Sequence, residues 1–140
     1  MTEYLSYQHQ LGDGTLTGGE PTRDGLLALK SAGYTHLVSL RGTGESPNEA
    51  SFFESLGFHF VHLPIGSPSD FSTAFLDQFN AALQHAPGKT VVFCATGNRV
   101  GAAFALHGHQ YLEMSAADAL AHGKKAGLTR LEAFVQSVLT

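Results

Sequence analysis

The chain has one cysteine in 140 residues, Cys94, which excludes an intramolecular disulfide and any metal site built from several thiolates. Charge is sparse as well. Asp, Glu, Lys and Arg together make up 14% of the residues, and the eight Lys and Arg are scattered, with Lys124-Lys125 the one adjacent pair. With a net charge of −4 there is no basic stripe, so no nucleic acid partner is expected. No apolar run approaches the roughly 20 residues of a membrane span, so no membrane partner is expected either. The opening MTEYLSYQHQ has neither the basic region nor the apolar stretch of a secretion signal, which makes a cytoplasmic location the expectation. There is no internal repeat and no linker rich in Pro or Ser, so residues 1–140 read as a single domain. What the chain does have is 43% hydrophobic residues, enough for a packed core at a length that buries roughly two-thirds of the unfolded surface.

Apolar periodicity and punctuation order these residues into alternating elements. Leu11-Gly12-Asp13-Gly14 holds a tight-turn signal and predicts a hairpin between Glu3–Tyr7 and Thr15–Thr17. Thr22 is positioned to cap a helix that carries Leu26, Leu27 and Leu29 and ends at Gly33, followed by a strand His36–Leu40. Asn48 is the expected cap of a second helix, closed by Gly57 before a strand Phe58–Leu63. Ser72 is the expected cap of a third, with Phe75, Leu76, Phe79 and Leu83 on one face, ended by Pro87-Gly88 before a strand Thr90–Phe93. A helix from Asn98 to about Met114 follows, then one over Ala116–Lys125 opened by Ser115 with Asp118, and a last one capped by Thr129. Such alternation predicts a three-layer α/β domain with a mostly parallel sheet of four or five strands flanked by helices, its site at the C-terminal ends of the strands.

Cys94 stands at the end of the apolar run Val91-Val92-Phe93, and Ala95, Thr96, Gly97, Asn98, Arg99 and Val100 lead into the next helix. The first N–H groups of a helix lack internal partners and carry the positive end of its dipole, so this loop suits an anion. Gly97 lets the backbone curl so that N–H groups point inward. The same field, with Arg99, favours the thiolate, the nucleophilic form of cysteine. Cys94 is therefore expected to be a nucleophile seated in an anion cradle.

This segment resembles the active loop of the cysteine-dependent protein phosphatases with a dual-specificity-like fold. The wider chain, through Gly19-Glu20-Pro21-Thr22, Leu29-Lys30-Ser31-Ala32-Gly33-Tyr34, Val38-Ser39-Leu40-Arg41 with Glu45, and His62-Leu63-Pro64, is similar to the phosphatase-like domain of bacterial beta-lactamase-hydrolase-like proteins. The resemblance implies a hydrolase with Cys94 as nucleophile and Arg99 as clamp, passing through a cysteinyl-phosphate. Three features depart from that pattern. Four residues instead of five separate Cys94 from Arg99, Phe93 replaces the usual His, and Val100 replaces a hydroxyl residue. The spacing Cys-x-x-Gly-x-Arg is similar to the loop of rhodanese-type sulfurtransferases, which implies a Cys94 persulfide as the alternative. A non-catalytic anion-binding module is the third reading.

The resemblance also implies a general acid on the loop after the preceding parallel strand, where Asp70 is the one carboxylate. Asp70 reads equally as a capping partner of the helix that follows. Arg41 and Glu45 either line the site or form a structural ion pair, the second being favoured. The eight His residues include no i, i+4 pair, so no metal and no cofactor are expected. The expected partner is a phosphorylated or sulfur-carrying small anion or protein side chain.

Overall fold

The computed structural model describes residues 3–12, 14–84 and 89–139. Along them run β1 (His9–Leu11), β2 (Thr15–Gly19), α1 (Arg23–Ser31), β3 (Tyr34–Ser39), α2 (Ala50–Ser55), β4 (His59–His62), α3 (Thr73–Gln84), β5 (Lys89–Cys94), α4 (Asn98–Tyr111), α5 (Ala116–Ala126) and α6 (Glu132–Leu139). The strands form one sheet in the order β1-β2-β5-β3-β4. Only the β1–β2 pair is antiparallel, because parallel neighbours need the helical crossovers that the sequence supplies.

Alternation along β5 divides the core into two layers. Val91 and Phe93 pack with Leu26, Leu29, Leu37 and Phe53 beneath α1 and α2. Val92 and Cys94 face the other way, against Phe79, Val100 and Phe104 of α3 and α4. Fully burying each such large apolar side chain stabilises the fold by roughly 1.5–3 kcal/mol. Cys94 thus ends a central strand with its side chain on the α4 face, 1% exposed.

Several local expectations are corrected. The hairpin forms, but its first strand is His9–Leu11 and not Glu3–Tyr7, since the register pairs His9 with Thr17 and Leu11 with Thr15. Residues 4–8 form an irregular segment in which Tyr7 has φ 55°; Asp13 and Pro87-Gly88 lie outside the described residues. Thr22, Ser72 and Ser115 cap as expected, each side-chain oxygen accepting a backbone N–H of the first turn. Asn48 does not cap α2: the residue before that helix is Glu49, and the Asn48 amide donates to Glu20. Nor does Thr129 cap α6, because its hydroxyl donates to Asn98 Oδ1. Helix α4 stops at Tyr111 instead of Met114, followed by Glu113 at φ 57°.

Candidate active site

The sulfur of Cys94 lies where the C-terminal end of β5 turns into α4. Gly97 has φ 86°, a left-handed conformation that a side chain resists, and this bend lets its N–H donate to Cys94 Sγ at 3.1 Å. The loop is pressed against the end of β2. A Cβ on Gly19 would stand 2.6 Å from the Ala95 carbonyl oxygen, so glycine there permits two backbones to touch. Ala95 is exposed, Thr96 half-buried and Val100 fully buried in the α4 face of the core. Asn98 turns its side chain to the far side, Oδ1 accepting from Thr129 N at 3.0 Å and Leu131 N at 3.1 Å, which pins the connection between α5 and α6 to the start of α4.

Arg99 is held by three bonds. Nη1 donates to Glu45 Oε1 at 2.8 Å and to the Ile65 carbonyl at 2.9 Å, and Nη2 donates to Glu45 Oε2 at 2.7 Å. Glu45 therefore grips the guanidinium end-on, as a bidentate fork. The side edge, Nε–H with the second Nη2–H, lies outside these bonds. The hydrogen bond to Glu45 raises Arg99 above its ordinary value against the opposing effect of burial, and the Cys94 sulfur adds to the rise.

The expected Arg41–Glu45 ion pair is present, with Nε 3.3 Å from Oε2, but it is the longer of Glu45's two arginine pairings. The Arg99 bond drives the Glu45 carboxyl down to about 2, with Gly42 N–H and Arg41 contributing and burial opposing. Its folded value thus lies below its ordinary 4.5, so Glu45 stabilises the fold fully above about pH 4.5 and loses that effect as pH falls towards 2. Urea unfolding of the wild type and Glu45→Gln is expected to show a stability gap that is constant near neutrality and narrows across this interval. A gap independent of pH would mean that the Glu45 charge contributes nothing.

Asp70 lies in a short 3-10 turn, Pro68–Asp70, where its Oδ2 accepts from Gly66 N at 2.7 Å and Ser67 N at 3.1 Å. This is a capping-box role within its own turn and not the expected capping of α3, which Ser72 performs; the carboxyl is directed at its own loop. That loop and Arg99 enclose a cavity of about 210 Å³ walled by Ser67, Pro68, Phe71 and Leu131. A larger cavity, about 360 Å³, lies behind residues 41–48 over Phe53 and Phe60, and neither Cys94 nor Arg99 lines it. Sequence reasoning missed Glu20, whose carboxylate meets Ser46, Asn48 and Arg41; its place beside the strand-end glycines was the available signal. Among the described residues no group of three or more His, Cys, Asp or Glu is arranged to hold a metal, and no helix is long and apolar enough to cross a membrane.

No protein-family model matches the chain, and no curated protein matches its sequence. Solved structures do match. A candidate phosphatase (DUF442) from Shewanella putrefaciens superposes with a TM-score of 0.71 at 18% identity, over 96% of this chain and 91% of that one. Tk-PTP in its active form gives 0.72 at 17% identity, over 95% of each chain. PTPMT1 gives 0.69 at 17% identity, over 94% of this chain and 92% of that one, and has also been solved in complex with PI(5)P. The fold of this chain is the one shared by these phosphatase structures, as the sequence resemblance implied.

Proposed function

We propose that this chain is a phosphatase-like hydrolase acting on a small phosphorylated anion or a phosphorylated side chain through a cysteinyl-phosphate on Cys94. The observation that supports it most is the mounting of Arg99. A guanidinium gripped end-on by Glu45 and Ile65 keeps its side edge for two oxygens of a phosphoryl group, beside the sulfur that would receive it. In the reaction, Cys94 Sγ attacks phosphorus, the bond to the ester oxygen breaks, and that oxygen takes a proton. Water then attacks the cysteinyl-phosphate and releases inorganic phosphate and the thiolate. Asp70 is the carboxyl offered as proton donor, through Oδ1, Oδ2 being bound to two backbone N–H groups. The cavity walled by Ser67, Pro68, Phe71 and Leu131 takes the leaving group.

The short loop supports a second reading. With four residues between Cys94 and Arg99 there are fewer inward N–H groups for a tetrahedral group, whereas a persulfide is smaller. In that case the thiolate takes the outer sulfur of thiosulfate and releases sulfite. One experiment tests both: wild type is incubated with an aryl phosphate or with thiosulfate, quenched, and the Cys94 peptide weighed. A phosphoryl adduct is the expected result. A persulfide alone would move the assignment to sulfur transfer, and neither adduct, with phosphate still bound, would leave an anion-binding module.

A further inference from the structure

Glu20 follows β2 directly, and its side chain is 7% exposed. Oε2 accepts from Ser46 Oγ at 3.0 Å and from Asn48 Nδ2 at 2.9 Å, which ties down the far end of residues 41–48. Oε1 stands 3.5 Å from Arg41 Nε. Neither of those two atoms makes an aligned hydrogen bond, so this contact is Coulombic. Arg41 Nε is also 3.3 Å from Glu45 Oε2, the oxygen that receives Arg99 Nη2. Four charges therefore alternate in a row, Glu20, Arg41, Glu45 and Arg99, with Glu45 drawn by an arginine on each side.

In such a row the terminal carboxylate has a definite effect. With Glu20 in place, Arg41 divides its attraction between two carboxylates. Without it, Arg41 is a half-buried cation whose remaining counter-charge is Glu45, and an uncompensated buried charge is costly enough to move its neighbours. Any movement of Glu45 towards Arg41 loosens the fork on Arg99.

We propose that Glu20 is a positioning residue for Arg99: it tethers the loop that carries Glu45 and holds Arg41 off Glu45, so that Glu45 keeps the guanidinium fixed. The proposal rests on the reading of Arg99 as the oxyanion clamp, and Glu20 acts through Glu45 and not on the reacting atoms. A spectator carboxylate near the site would have the opposite consequence, because deleting it adds positive potential and tightens anion binding.

Glu20→Gln keeps an oxygen for Ser46 and Asn48, removes the charge and sets an amide donor opposite Arg41 Nε. Inorganic phosphate binding, measured by calorimetry, is expected to weaken about tenfold, the size of one coupled pair. The Arg99 Nη–H signals in NMR, which carry the bonds to Glu45, are expected to lose hydrogen-exchange protection, and Glu20→Gln with Arg41→Gln to regain both properties. Tighter phosphate binding, or an unchanged Arg99 signal in Glu20→Gln, would overturn the proposal. If Glu20→Gln does not fold, Ser46→Ala with Asn48→Ala removes the tether alone; it too is expected to expose the Arg99 signal, and full protection there overturns the proposal. Failure of the wild type to bind phosphate would overturn the reading of the loop as a phosphate site, and the Arg99 signal would still decide the role of Glu20.

Discussion

Cys94→Ser is expected to lower turnover of an aryl phosphate by at least about a thousandfold, the scale on which loss of a covalent nucleophile is felt, while inorganic phosphate binding stays close to wild type. The two properties separate because different atoms carry them. In the proposed reaction, bond formation to phosphorus needs the sulfur, whereas the anion would be held by the Arg99 side edge and the loop N–H groups. The fold should survive, since serine is no larger than cysteine and its hydroxyl still offers an acceptor to the Gly97 N–H that now reaches Sγ at 3.1 Å. Steady-state kinetics, calorimetry and a melting curve on the same preparation provide the check. Turnover that persists in the variant would assign the activity to another nucleophile or a contaminant, and phosphate binding lost along with turnover would mean that the sulfur itself shapes the cradle.

Arg99→Lys is expected to cost about a hundredfold or more in kcat/KM, the range seen when one oriented transition-state donor is removed. Lysine keeps the charge but cannot hold Glu45 with one edge and an oxyanion with the other, because its ammonium is a point charge without the planar fork. The comparison variant is Arg41→Ala, whose effect should fall mainly on stability: the Arg41 side chain supports the loop through its Nη2 donating to the Glu45 carbonyl at 3.2 Å and its ion pair with Glu20. Chemical denaturation and kinetics on both variants separate these roles. An inactive Arg41→Ala beside an active Arg99→Lys would reverse the assignment of the two arginines.

What the sequence disclosed follows from how local each signal is. Cys94, Gly97 and Arg99 lie within six consecutive positions, and strand, bend and helix start are all encoded there, so this strand-loop-helix was legible. So was the parallel sheet, because each crossover helix carries its own apolar stripe and two of the three, α1 and α3, carry their own side-chain caps. Glu45 on Arg99 was not legible, since 54 positions separate them and only the adjacency of β3 and β5 brings them together. The two failed caps have one physical cause. Asn48 and Thr129 are suitable for capping by local rules, but each found a tertiary partner, Glu20 for one and Asn98 for the other. Asp70 shows the converse: a local turn claims both of the hydrogen bonds given to its carboxyl, and the resemblance that implied an acid there carries no information about that turn.

The strand order also governs how the molecule comes into being. β5 sits between β2 and β3, so the edges that β2 and β3 present to it find their partner only once residues 89–94 have been made. Exposed edges of this kind pair with other chains, and contacts so distant in sequence form slowly. The same order has a further side: Glu20, Arg41 and Glu45 precede β5 in the chain and Arg99 follows it, so the row of charges ending on Arg99 assembles only as the sheet closes.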